Sequence, residues 1–250
     1  IGNNIKLMLN DARDITEYIM TNETMQNTLN QPHSNTLNTA QTMLFDYLSN
    51  LKRVKDYITF IIVFGENGFL YRDFSDFYRQ IIDYNHFKSS TTYVATAAKE
   101  GEAHWEHSSS PLFTHSSSYP ELLIGRRILN IYDEEDKLGL LFMGLSKTSL
   151  KELIIDSRIS AANQIYIFDD NFHLIASSES DRRMMNLIDQ DLDFKRKLFA
   201  QEQTTIYEVN GYPYLVSNAM ISGYGWNVVG FTPMEEIEKQ HNIVLRTMII

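Results

Sequence analysis

The segment FGENGFLYRD, residues 64–73, has a counterpart in the second half of the chain, FDDNFHLIAS, residues 168–177. Each follows a run of β-forming residues, ITFIIV before the first segment and NQIYI before the second. Both place asparagine fourth and leucine seventh, and both contain residues that tight turns prefer, Gly and Asn in the first segment and Asp and Asn in the second. We therefore predict that the chain builds the same β-hairpin twice, once in each half.

The composition restricts the kinds of function that the chain can have. Of its 250 residues 43% are hydrophobic, which suffices for packed cores, and its net charge of −10 disfavours binding to nucleic acid or anionic lipid. The absence of cysteine excludes disulfides, thiol catalysis and thiolate metal sites. The longest uncharged apolar runs, residues 58–65 and 138–145, are far shorter than the ~20 residues of a membrane-spanning helix.

Hydrophobic periodicity predicts a long helical region at the N-terminus. Apolar residues recur three and four positions apart from Ile5 to Ile19, and the pattern resumes from Leu37 to Val54 after an interruption around Pro32. Ser34 and Asn35 are plausible caps for the second segment. We expect two collinear or bent helices in the first 55 residues.

The remaining pattern repeats one order of elements. After the first hairpin the expected elements are helices at 76–85 and 89–99 and strands at 104–107, 122–132 and 138–146, with the charged turn DEEDK between the last two. A connecting helix at 147–157 leads to a hairpin at 164–177, a helical insert at 191–200 and strands at 204–209, 212–220 and 226–231. Thr232, Pro233 and Glu235 predict the start of a last helix, as N-cap, first helical residue and capping-box partner. Each half is thus a hairpin, helices and a three-stranded meander, which predicts an α+β fold with mainly antiparallel sheets and helices on one side.

Two segments resemble a known family. KLGLLFMGLSKTSLKELI, 137–154, is similar to a last distal strand that passes into a connecting helix, and SGYGWNVVGFTPMEEI, 222–237, resembles the closing strand of a membrane-proximal Cache module. The whole plan resembles a double Cache domain, in which two PAS-like modules follow one long helix. The likeness covers nearly the whole chain, through structural rather than catalytic motifs. The long polar helix and the segments WEHSSSP and GRRI are most similar to YesM-type sensor histidine kinases.

This resemblance implies both boundaries and a function. The implied parts are a helical stalk at 1–55, a membrane-distal module at 56–146, a connecting helix at 147–160, a membrane-proximal module at 161–232 and a C-terminal helix at 233–250. The implied function is that of a non-catalytic, extracytoplasmic ligand-sensing domain of a homodimeric, membrane-bound two-component histidine kinase, without metal or cofactor. Because the chain begins at Ile1 and ends in the apolar run IVLRTMII, we expect membrane helices on both sides. The alternatives are a chemoreceptor, a cyclic-dinucleotide enzyme and, less favoured, a secreted hydrolase.

Five residues are candidates for ligand contact. Tyr71, Tyr93 and Trp105, followed by His107, lie on elements that border the distal cavity in the resembled family, although for any single tyrosine a core role is the favoured interpretation. Arg126 interrupts an apolar strand and needs an acceptor, which a ligand carboxylate or phosphate or an internal salt bridge would supply. Because side chains alternate along a strand, either Arg126 or its neighbour Arg127 faces the pocket, and not both.

The expected ligand is a small molecule such as a sugar or an organic acid, or else a ligand-loaded binding protein. Amino-acid-sensing double Cache domains carry an arginine shortly before a tryptophan and a tyrosine two positions after it. Here Lys99 is the nearest upstream cation and His107 follows Trp105, so the motif is broken and an amino-acid ligand is disfavoured.

Other clusters fit less reactive roles. His104, His107 and His115 with Glu102 and Glu106 have the residue types of a metal site, but strand and loop residues surround them. The repeated HSSS lacks the G-x-S-x-G frame of a hydrolase. The carboxylates at 133–136 and 169–170 are interpreted as solvated turns.

Overall fold

The chain divides into two compact units. The structure is a computed structural model that describes residues 2–32, 39–74, 87–108, 121–158, 160–178, 188, 194, 196, 198, 199, 203–209 and 211–239. One unit is Leu9–Lys147, and the other combines Ile1–Met8 with Thr148–Ile250. Each contains one five-stranded antiparallel sheet, which confirms the predicted α+β fold and the repeated hairpin.

In the unit Leu9–Lys147, helices precede the sheet. The elements are α1 (Gly2–Thr21), α2 (Glu23–Asn30), α3 (Thr39–Val54), β1 (Ile58–Gly65), β2 (Leu70–Phe74), α4 (Thr91–Ala97), β3 (His104–Ser108), β4 (Glu121–Asn130) and β5 (Asp133–Leu145). The strand order is β2-β1-β5-β4-β3. The two expected N-terminal helices are therefore three, while the predicted caps and the predicted helix at 76–85 lie outside the described residues.

The β4–β5 turn differs from the prediction. The chain reverses at Ile131 and Tyr132, and the acidic run Asp133–Asp136 begins β5 instead of forming the turn. These carboxylates are nevertheless exposed, because the first five residues of β5 extend beyond the buried part of the sheet. They are solvated, as expected, but on a strand.

This first sheet is buried on both faces. Pairing register and packing put one set of side chains on the side that faces α4, here called the α4 face. Its members are Phe60, Ile62, Phe64, Leu123, Leu140 and Phe142. The intervening residues, including Ile61, Val63, Ile124 and Met143, point to the opposite side, here called the stalk face because α1 and α3 contact it. Burial of alternate residues on both sides explains why β1 is apolar without a break from Phe60 to Phe64.

Two amide side chains fix α2 in this unit. Gln26 is buried, donates to the carbonyls of Met20 (2.6 Å) and Leu129 (2.9 Å), and accepts a hydrogen bond from the backbone N–H of Ile131 (3.1 Å). Asn67, in the first hairpin turn, donates to the carbonyls at the C-terminal end of α2 and accepts from its own turn. The turn asparagine noted in the sequence thus holds a helix as well as a turn.

In the other unit, the strands repeat the first plan. The elements are α5 (Lys147–Asp156), β6 (Gln164–Phe168), β7 (Leu174–Ser177), β8 (Gln203–Val209), β9 (Tyr212–Ile221) and β10 (Trp226–Pro233), with strand order β7-β6-β10-β9-β8. This order matches that of the first sheet strand for strand. An aromatic and aliphatic core that includes Tyr166, Phe168, Phe194 and Phe231 packs on one side of the sheet.

The two hairpin turns share their geometry. Gly68 and Phe172 occupy the fifth position of the two quoted segments, and both have positive φ, 93° and 63° respectively. Phe172 is the one non-glycine residue with positive φ among those described, and its ring packs on Phe199 at 4.4 Å between centroids. The sequence echo therefore reflects one turn conformation used twice.

The last helix begins one residue later than predicted. Thr232 and Pro233 are still part of β10 and pair with β9, and the Thr232 hydroxyl accepts a hydrogen bond from Asn163 Nδ2 at 2.6 Å. Helical structure therefore starts at residue 234. None of the helices in the described part of the chain is long and apolar enough to span a membrane.

We predict that Asn67→Ala is clearly destabilising. It removes two hydrogen bonds to α2 and one within the turn, at an expected cost of about 2 kcal/mol in the free energy of unfolding. Asn171→Ala is the matched control, because Asn171 is exposed at the same turn position and its side chain bonds only to Asp170 among the contacts described. Urea denaturation of both variants tests this, and equal losses of stability would contradict it.

A second anchor predicts a pH effect. Asp11 of α1 accepts hydrogen bonds from Lys55 Nζ (2.7 Å) and from the Tyr57 hydroxyl. Partial burial works to raise the pKa of Asp11, but these hydrogen bonds and the charge of Lys55 outweigh it and hold the pKa below its ordinary value of 3.8. The stabilisation is therefore full above that value and is lost as the pH falls through the lower folded-state pKa.

We accordingly expect Asp11→Asn to lower the free energy of unfolding by about 1 kcal/mol at pH 7, since the site is partly exposed. The difference from the wild-type protein should shrink steadily in acid below pH 4. Melting temperatures measured between pH 7 and pH 3 test this, and a constant difference across that range would refute the assignment.

Candidate functional site

The α4 face carries a cluster of four aromatic rings. The Tyr93 ring stacks on Phe142 (5.8 Å between centroids) and meets Phe64 and Phe87 edge-on at 5.7 and 5.9 Å. Ser90 caps α4 by accepting a hydrogen bond from the Tyr93 backbone N–H (3.2 Å), which fixes where the ring projects. Tyr93 is half-buried, whereas the three phenylalanines are buried. One phenol therefore stands at the margin of an apolar wall.

A glycine in β4 brings α4 close to the sheet. A Cβ atom on Gly125 would lie 2.4 Å from Thr96 Oγ1, so a larger residue cannot occupy this position unless the Thr96 side chain or the helix moves. Thr96 is fully buried, and its hydroxyl has no hydrogen-bond partner among the described residues. The helix thus presents an unsatisfied hydroxyl toward the α4 face.

Charged groups surround this wall. Arg127 Nε donates to the carbonyl of Ala97 (2.8 Å), and its Nη1 lies 3.6 Å from the carboxylate of Glu66. Burial raises the pKa of the Tyr93 phenol, Glu66 raises it further, and Arg127 partly offsets both. The guanidinium, the carboxylate and the phenol therefore act within one electrostatic neighbourhood.

A second polar pair lies on β3. His104 Nε2 is 3.2 Å from Glu106 Oε2, and pairing opposite Gly125 and Leu123 places both on the side of the α4 face. This strand places Trp105 and His107 opposite Ile124 and Leu122, on the side of the stalk face. No group of three or more His, Cys, Asp or Glu suited to a metal ion occurs within the described residues.

The adjacent arginines point in opposite directions, as strand alternation predicted. Arg126 lies on the stalk face and is 7% exposed, with Nη1 donating to the carbonyl of Gly101 (3.2 Å) and Nη2 at 3.8 Å from the carboxylate of Glu17 in α1. Burial lowers the pKa of Arg126, and Glu17 counteracts this. The guanidinium on the α4 face therefore belongs to Arg127, and Arg126 has the internal partners that the alternative interpretation required.

Tyr71 also lies on the stalk face. Its ring packs on Phe45 of α3 (5.1 Å between centroids), and its hydroxyl is 3.3 Å from Ser49 Oγ. Burial raises its pKa to about 12. Of the five candidate residues, Tyr93 alone lies on the α4 face, while Tyr71, Trp105, His107 and Arg126 lie on the stalk side of the sheet.

The α4 face also contains residues that were not singled out from the sequence. Thr96 gave no signal, but Gly125 did, because a glycine inside an apolar strand marks a close approach of another element. His104 and Glu106 were considered as metal ligands, and their spacing of two on a strand puts them on one side. Glu66 was assigned only to the hairpin turn.

We predict strong coupling between Gly125 and Thr96. Gly125→Ala should cost about 1–3 kcal/mol in the wild-type background, because the new methyl group overlaps the Thr96 side chain. In a Thr96→Ala background the same change should cost less, since Thr96 Oγ1 and Cγ2, the two nearest atoms, are gone and Phe142 Cε1 at 3.0 Å is the remaining close contact. Urea denaturation of the four proteins measures the coupling energy, and an equal cost in both backgrounds would rule out the close approach.

No family model and no curated protein sequence matches the chain, whereas many solved structures do. The extracellular domain of vpHK1S-Z8, described as a candidate histidine kinase, has a TM-score of 0.66 at 14% identity, covering 95% of this chain and 91% of that one. The ligand-binding domain of the Pseudomonas fluorescens chemoreceptor CtaA with L-isoleucine has a TM-score of 0.61 at 11% identity, covering 96% and 90%.

A Campylobacter jejuni chemoreceptor gives a third match. Its ligand-binding domain, in complex with L-norvaline, has a TM-score of 0.60 at 13% identity and covers 95% of this chain and 90% of that one. At such identities the likeness concerns the fold. The chain therefore has the fold of chemoreceptor ligand-binding domains and of the extracellular domain of a candidate histidine kinase.

Proposed function

We propose that the chain is a double Cache domain and the extracytoplasmic, non-catalytic sensor of a membrane-bound two-component histidine kinase, closest to the YesM type. The observation that carries this proposal is the repetition of one five-stranded antiparallel sheet behind a long helix, shared over nearly the whole chain with extracellular and ligand-binding domains of receptors. In the proposed intact protein the terminal helices continue into membrane helices, and the domain works as a homodimer.

The proposed ligand site is the α4 face of the first sheet. Tyr93 is kept from the original candidates, and Arg127 takes the role first given to Arg126, because Arg127 lies beside the aromatic wall. Its 3.6 Å separation from Glu66 exceeds a hydrogen bond, so an incoming carboxylate can replace Glu66 as the close partner. Trp105, His107 and Tyr71 are assigned to packing on the stalk side.

The proposed ligand is a small organic acid or a sugar. A guanidinium suits a carboxylate, the Tyr93 ring suits an apolar or sugar surface, and the Thr96 hydroxyl supplies one more polar group. The chemoreceptor domains described above hold L-isoleucine and L-norvaline, which makes an amino acid the alternative ligand class. A ligand-loaded binding protein is the alternative kind of partner.

Binding measurements on the purified domain test this proposal. We expect at least one compound from panels of organic acids and sugars to raise the melting temperature and to bind in calorimetry. Arg127→Gln should weaken that binding by roughly 10- to 100-fold, because a charge-assisted hydrogen bond is lost. Lys137→Gln is the matched control, since Lys137 is an exposed cation on β5, and it should leave affinity unchanged.

The outcomes separate the parts of the proposal. Stabilisation by amino acids alone would overturn the ligand class and keep the sensor, while binding that is insensitive to Arg127→Gln would overturn the site. No binding by any panel would favour a binding-protein partner, tested by pull-down with loaded solute-binding proteins.

A chemoreceptor is the second candidate, because two of the matched structures come from chemoreceptors. The cyclic-dinucleotide enzyme and the hydrolase have less support, and the serine-rich loop of the hydrolase hypothesis lies largely outside the described residues. The sequence of the full gene distinguishes a kinase from a chemoreceptor: a histidine-kinase core supports the proposal, and a methyl-accepting domain contradicts it.

A further inference from the structure

Two adjacent arginines of β4 hold the C-terminal residue of α4 and the loop that follows it, and they do so from opposite faces of the sheet. Arg127 donates to the carbonyl of Ala97 (2.8 Å), and Arg126 donates to the carbonyl of Gly101 (3.2 Å). Because consecutive side chains of a strand point in opposite directions, the segment 97–101 is bonded both on the α4 face and on the stalk face. Residues 97–101, which comprise the last residue of α4 and the loop after it, are here called the end of α4. In the described contacts, both arginines donate a hydrogen bond to this segment.

Each arginine also has an acidic partner on a different element. Arg127 Nη1 is 3.6 Å from Glu66 in the first hairpin, and Arg126 Nη2 is 3.8 Å from Glu17 in α1. The two carboxylates are exposed to similar degrees, 60% and 62%, while both guanidinium groups are largely buried. Each buried cation therefore connects the end of α4 with an exposed carboxylate elsewhere in the unit.

The burial of Arg126 makes its few partners interdependent. Its Nε has no hydrogen-bond partner among the described residues, so the Gly101 carbonyl and the carboxylate of Glu17 compensate most of its charge, and the carboxylate of Asp14 adds a smaller contribution. An arginine keeps its charge in a protein, and a buried charge that loses a partner is costly. A shift of segment 97–101 that weakens one contact therefore forces the guanidinium toward the other, and this changes the restraint on α1.

We propose that Arg126 and Arg127 are positioning residues that couple the C-terminal end of α4 to α1. The physical coupling is a property of the unliganded domain. Its use as the route by which a ligand on the α4 face alters α1 rests on the proposed function. In that role, a ligand that draws Arg127 away from Ala97 breaks the hydrogen bond to the Ala97 carbonyl, so that segment 97–101 can move. The movement shifts Arg126 relative to Glu17 and thereby changes the restraint on α1.

Hydrogen exchange of the unliganded domain tests the coupling. Glu17→Gln removes the negative charge that lies beside Arg126. We then expect amides in a peptide covering residues 91–103 to exchange about two- to five-fold faster, because the loss of one partly exposed ion pair weakens the local structure by a small amount. Asp46→Asn is the matched control, because Asp46 is an exposed carboxylate on α3 that takes no part in the described contacts of Arg126. It should leave that peptide unchanged.

The reverse direction is tested through Glu66. Glu66→Gln should accelerate exchange both in the peptide 91–103 and in a peptide covering residues 13–20 of α1, and the second effect should vanish when Arg126→Gln is added. A structural role confined to one contact does not predict an effect on the other element. Because Glu17 and Glu66 are exposed, both single variants should fold, which circular dichroism checks.

The result that overturns the coupling is local change only, with Glu17→Gln affecting α1 alone and Glu66→Gln affecting the hairpin and α4 alone. This failure is distinguishable from failure of the proposed function, because no ligand takes part. If each variant changes amide exchange in both α4 and α1, and the domain binds no compound of the panels, the coupling is supported and the proposed ligand class is not. A bound ligand with purely local exchange effects supports the site and refutes the coupling.

Discussion

The structure of the first unit depends on burying both faces of one sheet. Phe60, Ile61, Ile62 and Val63 are consecutive residues of β1, and all four are fully buried. Because their side chains alternate between the two sides, neither cover alone suffices, and each buried apolar side chain contributes about 1.5–3 kcal/mol only if both covers are present. The N-terminal helices cover the stalk face, and α4 together with Phe87 covers the α4 face. The anchors Asp11, Gln26 and Asn67 keep the helical cover in position.

This arrangement gives the two faces different chemistry. The stalk face is closed by specific contacts with the N-terminal helices, such as those of Tyr71 with Phe45 and Ser49. The α4 face combines an aromatic wall with Arg127, Glu66 and the unsatisfied hydroxyl of Thr96. A small molecule bound in the proposed site would meet both apolar surface and polar partners. Arg126 and Arg127 of β4 contact groups on opposite faces of the sheet.

The sequence was sufficient for the repeated architecture but not for the faces. The hairpin echo, the apolar run of β1 and the turn asparagines predicted two modules because each depends on residues close in the chain. The alternation of side chains along a strand also predicted that Arg126 and Arg127 point to opposite faces of the sheet. Which of them lies beside Tyr93 depends on strand register and on which helix covers which side, and these are set by contacts between residues far apart in sequence. The DEEDK run was taken for a turn because acidic residues favour turns, whereas the bulged end of β5 accepts them as an exposed strand.

A crystal structure of the domain grown with a compound that stabilises it locates the ligand. We predict that the compound lies on the α4 face, against the Tyr93 ring, and that one of its oxygen atoms lies within about 3.2 Å of the Arg127 guanidinium. A ligand on the stalk side beside Arg126 and Trp105, or in the unit that contains β6–β10, would contradict it.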